Sequence, residues 1–186
     1  MTVTYAADAC TLLRVILAPL FAYALVRGAA EPSVWPLAIC LAAMATDFAD
    51  GRLARRAGAS SEIGRFFDHA ADALFLFPGL FVLTALGRVP LVMPCAAVLA
   101  FALYVVDGVR RAGGSRTILL APSRSGALAG VANYGVAATG AFALACRAPH
   151  LDALLHAGAT IVALMNFFAA AERAYTIVRT TRPAPA

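Results

Sequence analysis

Six apolar stretches, each close to the length a helix needs to cross a bilayer, restrict this chain to one kind of fold. They run roughly over Thr11–Val26, Val34–Asp50, Asp68–Leu86, Val89–Val106, Ala127–Ala145 and Leu154–Ala171. Inside a hydrocarbon core the backbone has no water to bond, so each stretch must satisfy its own N–H and C=O groups, and a helix does that. With 62% hydrophobic residues and a mean hydropathy of +0.81 over 186 residues, the composition excludes an ordinary soluble domain. The reading is an all-α integral membrane protein: a single domain over residues 1–186 with six transmembrane helices. No basic region precedes the first stretch and Arg14 interrupts it, so it is expected to stay as a helix rather than be cleaved as a signal peptide.

All fifteen basic residues are Arg, and their placement gives an orientation. Arg52, Arg55, Arg56 and Arg65 follow the second stretch, Arg110, Arg111, Arg116 and Arg124 follow the fourth, and Arg173, Arg179 and Arg182 lie at the C-terminal end. The connections on the other side hold Arg27, Arg88 and Arg147, one apiece. Positive charge on the inside places both termini and the arginine-rich connections on the cytoplasmic face, as expected of a bacterial inner membrane protein. The net charge of +5 calls for no nucleic acid, because these arginines sit at membrane edges where anionic lipid head groups attract them.

The segment from Asp47 to Asp72 carries the chemistry. Asp47 and Asp50 are three apart and Asp68 and Asp72 four apart, so on helices each pair projects from one face. The first pair closes one apolar stretch and the second opens the next, with an arginine-rich turn expected between them. The four carboxylates therefore meet where two antiparallel helices reach one membrane surface. Left together they repel, and an all-oxygen set without paired His or Cys favours a hard ion, Mg2+ or Mn2+, over zinc. Two ions match four carboxylates. The uncharged run before them, Val34 to Thr46, spans only about 20 Å as a helix, short of a hydrocarbon core of roughly 30 Å, so Asp47 and Asp50 are expected to be recessed in a water-filled cavity. Gly51 lets a ligand approach the backbone, Ala54 keeps the wall thin, and Arg55 offers a planar cation suited to phosphate oxygens.

Written as a pattern, Asp47, Asp50, Gly51, Ala54, Arg55, Gly64, Asp68 and Asp72 stand at the spacing of the CDP-alcohol phosphatidyltransferase signature, and every fixed identity matches. The chain thus resembles that family, whose motif spans the end of the second transmembrane helix and the start of the third. The resemblance implies phospholipid biosynthesis by transfer of a phosphatidyl group from CDP-diacylglycerol to a small alcohol, with release of CMP. It implies that Asp47, Asp50, Asp68 and Asp72 hold the metal ions and that Asp72 is also the base. It assigns Arg55, with Gly51, Ala54 and Gly64, to the CDP-lipid, and Ser61 stands where the family often has Ser or Thr near the nucleotide. The opening TLLRVILAPL of the first stretch is similar to the family's first helix. Arg14 there either turns inward to the nucleotide phosphates or an aspartate, or snorkels to the surface. A homodimer is expected by the same analogy, with membrane lipids around it.

The acceptor is read from charge. Arg110, Arg111, Arg116 and Arg124 could hold a second anion, which favours a phosphorylated alcohol, with glycerol 3-phosphate first. Inositol phosphate and serine remain as alternatives, because the Gly-Lys pair of some phosphatidylglycerophosphate synthases is here Gly126 and Ala127, with Gly130 and Asn133 where Thr and Gln might stand. A rival of another class is an ion or proton carrier using the same carboxylates, against which all four cluster at one face. Asp107 with Arg110 and Arg111 reads as a surface ion pair, Asn166 as an interhelical hydrogen bond, and His69 as a tolerated neighbour of Asp68. Gly126, Ala129, Gly130, Ala137 and Gly140 read as small residues for close helix packing, and Cys10, Cys40, Cys95 and Cys146 as small hydrophobes.

Overall fold

Each apolar stretch is a helix, and each helix runs past the residues that mark it in the sequence. The computed structural model describes the backbone of residues 2–57, 62–113, 118–148 and 150–181, with side chains over 11–49, 64–113, 118–148 and 150–179. In chain order the helices are α1 (Thr2–Ala30), α2 (Trp35–Ala57), α3 (Glu62–Ala85), α4 (Val92–Arg111), α5 (Arg124–Cys146) and α6 (His150–Thr181). The described residues contain no strand.

Three boundaries differ from the sequence reading. The lead before Cys10 is part of α1, because TVTYAADAC holds no Gly or Pro to stop it. Arg52, Arg55 and Arg56 lie on α2 rather than in a turn, since one glycine does not end a helix otherwise rich in Ala, Leu and Arg. The fourth helix continues beyond Asp107 to Arg111, where two arginines in the last turn suit the negative end of the helix dipole and Gly113, at φ +56°, turns the chain away. The start of α5 is capped by Ser123, whose Oγ accepts the Gly126 N–H at 3.0 Å.

Among the described residues five helices are long and apolar enough to cross a membrane, while the apolar part of α2, Trp35–Ala49, is shorter. The distribution of side-chain size fits a lipid surround. Leu12, Ile16, Leu91, Val131, Leu154, Leu164 and Phe168 are exposed, whereas Ala43, Ala96, Ala137, Ala141 and Ala159 are buried. Lipid tails are as apolar as Leu, so sequestering large side chains gains little, and small ones bring helices into van der Waals contact. Gly140 shows this on α5: a Cβ there would lie 2.7 Å from Leu83 Cδ1 of α3. On α3, Pro78 is accommodated within the helix and a Cβ on Gly79 would overlap the Phe21 ring. Gly130 departs from the expected packing role, because nothing lies within 4 Å of the Cβ it lacks.

The most extensive packing joins α4 to α6, and α1 to both α2 and α3, with α5 against α6. Between them runs an aromatic ladder. Phe21 stacks on Phe75 with centroids 4.9 Å apart, and Phe75 stacks in turn on Tyr134 at 6.0 Å. The fully buried Phe75 is thus a packing residue, and its stack fixes the ring of Tyr134, whose hydroxyl reaches the aspartates. Away from that end, Arg88 pairs with Asp152, and Arg147 donates to the Ala30 carbonyl at 3.3 Å.

Candidate active site

Arg14 lies at the centre of the carboxylates. It sits four residues before Ala18 on the inward stripe of α1, and that stripe turns its guanidinium away from lipid until none of it is exposed. A buried charge needs an opposite charge close by. Nη1 of Arg14 lies 2.6 Å from Asp72 Oδ1 and 3.3 Å from Asp47 Oδ1, and Nη2 lies 3.9 Å from Asp68 Oδ1. Of the two orientations the sequence leaves open, the structure has the inward one, directed at aspartates. The Thr11 hydroxyl, one turn earlier, donates to Asp68 Oδ1 at 2.8 Å. Tyr134 donates to Asp72 Oδ1 at 2.7 Å, so one carboxylate oxygen of Asp72 accepts from both α1 and α5.

The structure therefore brings together Asp47, Asp68 and Asp72 from α2 and α3, as their spacing predicts. The side chains of Asp50, Gly51, Ala54 and Arg55 lie outside the described residues, as do Ser61 and Arg116 altogether. Among the described residues no group of three or more His, Cys, Asp or Glu side chains is disposed as a metal site. Among the described residues three carboxylates gather around the Arg14 guanidinium, and the carboxylate donors are all oxygen. That chemistry fits a hard divalent cation.

The cluster opens into a cavity of about 360 Å³. Asp47 and Asp72 border it, with Arg65 and His69 of α3, Tyr104 of α4, the α5 cap Ser123, Gly126, Gly130, Asn133 and Tyr134 of α5, and Asn166 and Arg173 of α6. Deeper, Leu76, Phe77, Ala97 and Phe101 make the wall apolar. His69 is thus a cavity residue, set edge-on to the Tyr104 ring at 5.5 Å, and not merely a neighbour of Asp68.

The cavity's cations are not those expected. Arg110, Arg111 and Arg124 are exposed and none is in the cavity wall; Arg65 and Arg173 are. Arg173 is fixed on three sides. Its Nη1 donates to Asp107 Oδ2 at 2.9 Å, its Nη2 donates to the Ala121 carbonyl, and its guanidinium carbon stands 5.0 Å from the centre of the Tyr104 ring. Asp107 Oδ2 also accepts from Arg111 Nε at 2.9 Å. The expected surface pair is therefore a buried carboxylate shared by two arginines, one of them facing the cavity. Asn166 makes the interhelical bond expected of it, to Asn133.

Tyr134, Arg173 and Asp107 were not legible as site residues, since each meets its partner from more than sixty positions away. The one usable signal was an arginine at the inner end of an apolar run, which Arg173 shares with Arg14.

Comparison with known proteins gives a consistent result. Residues 4–178 match the family model of the CDP-alcohol phosphatidyltransferases. A probable phosphatidylglycerophosphate synthase of Mycobacterium tuberculosis is 39% identical over 89 residues, 45% of this chain and 42% of that protein. A cardiolipin synthase (CMP-forming) of Streptomyces coelicolor is 36% identical over 76 residues, 39% of this chain and 35% of that protein. The matched segments thus span less than half the length of either relative.

Proposed function

Because the chain belongs to the CDP-alcohol phosphatidyltransferase family, we propose that it transfers the phosphatidyl group of CDP-diacylglycerol to a small phosphorylated alcohol, glycerol 3-phosphate first, and releases CMP. The observation that carries this reading is the convergence of Asp47, Asp68 and Asp72 around Arg14, beside a cavity bordered by Asp47, Asp72, Arg65 and Arg173. Carboxylates and guanidinium groups bordering one cavity suit a reaction between a pyrophosphate substrate, which the carboxylates would hold through a divalent cation, and an anionic acceptor.

Asp47, Asp50, Asp68 and Asp72 would hold Mg2+ or Mn2+, which when bound supplies neutralising charge for the pyrophosphate and for departing CMP. Asp72 takes the proton of the acceptor hydroxyl as that oxygen attacks the phosphorus on the lipid side. A P–O bond to the acceptor forms, and the bond to the bridging oxygen breaks, leaving that oxygen on CMP. The bonds from Tyr134 and Arg14 aim one oxygen of Asp72 and leave the other for the proton. Arg14 is thus an orienting residue of the aspartates before it is a nucleotide ligand, while Gly51, Ala54, Arg55, Ser61 and Gly64 are proposed to face the CDP moiety. The acceptor phosphate is proposed to meet Arg173 and Arg65, because Arg110, Arg111 and Arg124 stand outside the cavity wall. The cavity is proposed to face the cytoplasm of a bacterium, in an inner membrane homodimer.

The name of the Streptomyces relative supports a second reading, cardiolipin synthesis. Protein in lipid nanodiscs given CDP-diacylglycerol, divalent metal and a panel of alcohols separates the two. CMP release with glycerol 3-phosphate and a phosphatidylglycerophosphate product is expected. A cardiolipin product moves the chain to the second reading, and CMP release only with an uncharged alcohol such as serine sinks the phosphorylated acceptor. Metal-dependent ion flux without CMP release supports a carrier.

A further inference from the structure

The cavity wall contains a polar pair that the transfer reaction as described does not use. Asn133 of α5 and Asn166 of α6, 6% and 2% exposed, face each other across the helix interface and both border the cavity. Asn166 Nδ2 donates to Asn133 Oδ1 at 2.8 Å and to the Val162 carbonyl at 2.9 Å, which uses both of its hydrogens. Asn133 Nδ2 donates to Asn166 Oδ1 at 3.3 Å, which uses one of two. Asn133 therefore retains an N–H and an acceptor lone pair for which the described residues provide no partner, in a cavity wall that also includes Leu76, Phe77, Ala97 and Phe101. Interhelical adhesion alone gives no reason for this pair to border a cavity.

Its position is informative. Asn133 adjoins Tyr134, whose hydroxyl holds Asp72, and all three residues border the same cavity. Gly130, about one turn earlier on α5, leaves open space beside it, with nothing within 4 Å of an added Cβ. Arg173 follows Asn166 by two turns of α6, a rise of about 10 Å, and helical side chains lean back toward the N-terminus, which shortens the gap between guanidinium and amide. A cation, an open step and an amide thus all border the one cavity.

We infer that Asn133, held in place by Asn166, is an acceptor-specificity residue that hydrogen-bonds a hydroxyl of a polyol phosphate other than the one that attacks. The inference rests on the reading that a phosphorylated alcohol enters this cavity. An amide that spends a bond on a hydroxyl in an apolar pocket rejects the analogue without that hydroxyl, because the amide is then left unpaired.

The test compares glycerol 3-phosphate with 3-hydroxypropyl phosphate, which retains the phosphate and a terminal hydroxyl and lacks only the middle one. With protein in nanodiscs, kcat/KM for glycerol 3-phosphate is expected to exceed that for the analogue by about tenfold or more. Asn133→Ala is expected to bring the two within about twofold of each other, acting on KM for glycerol 3-phosphate. A merely adhesive Asn133 would lower both substrates alike and keep their ratio, and that result overturns the inference. Should Asn133→Ala not fold, Gly130→Val serves in its place, narrowing the step beside the amide: a raised KM for glycerol 3-phosphate supports the inference and an unchanged one overturns it. Equal use of both phosphates by the unaltered protein overturns the inference while leaving the phosphorylated-acceptor reading intact. CMP release with neither phosphate, but with an uncharged alcohol, overturns both.

Discussion

Replacing Asp107 by Asn tests whether the cavity's cation is held by the fold. Asp107 Oδ2 accepts from Arg173 and Arg111 at 2.9 Å each, with side-chain exposures of 4% for Asp107, 9% for Arg173 and 39% for Arg111. Breaking a buried pair by removing one partner costs about 3–5 kcal/mol, since the remaining charge stays buried. Three features lower that figure here. Asn retains an oxygen acceptor, and Arg173 keeps the Ala121 carbonyl and the Tyr104 ring, a cation–π contact worth about 0.5–2 kcal/mol. Arg111 is more than a third exposed, so its share is under about 1 kcal/mol. The expectation for Asp107→Asn is a loss of about 2–3 kcal/mol, with Asp107→Leu nearer the upper end of the full range.

The double variant Asp107→Leu with Arg173→Met, which puts apolar groups in place of both buried charges, should recover to within about 1 kcal/mol of the unaltered protein. Equilibrium unfolding in mixed micelles measures the cycle, and a coupling of about 1.5 kcal/mol or more is expected. In turnover assays Asp107→Asn should raise KM for the acceptor and leave that for CDP-diacylglycerol nearly unchanged, because of the two arginines paired with Asp107 it is Arg173 that borders the cavity. Stability within about 0.5 kcal/mol of the unaltered protein, or strictly additive single effects, would refute the reasoning.

Asp72→Asn should reduce transfer by roughly a hundredfold or more while CDP-diacylglycerol binding changes only a few-fold, and substantial turnover in that variant removes Asp72 as the base. Gly140→Val should cost about 1–3 kcal/mol in an unfolding titration, because its Cβ meets Leu83, and Leu83→Ala in the same chain should recover part of the loss; an unaffected single variant contradicts the close α3–α5 approach. Cysteines introduced at Gly58 and Gly114 should be shielded from an impermeant reagent in intact cells and one beside Arg88 labelled, and the reverse pattern sinks the proposed cytoplasmic site.

The helices, their apolar faces and the meeting of Asp47, Asp68 and Asp72 were legible in the sequence because each follows from local rules. Residues three or four apart share a face of a helix, and a connection of a few residues makes consecutive helices antiparallel. Helix ends were less legible, since nothing local forbids α1 from starting at Thr2 or α2 from carrying its arginines to Ala57. What only the tertiary structure decided is which faces meet between helices distant in the chain. Arg14 had two orientations available to it, and the packing of α1 against α3 selected the inward one. The arginines after α4 were a dense charge group in sequence, yet Arg173 and Arg65 line the cavity, because α4 packs along α6 and turns Arg110 and Arg111 outward. Asp107 read as a surface residue for the same reason: its burial depends on Arg173, which lies 66 positions away. Periodicity specifies the face on which a side chain lies, and helix packing then decides what that face meets.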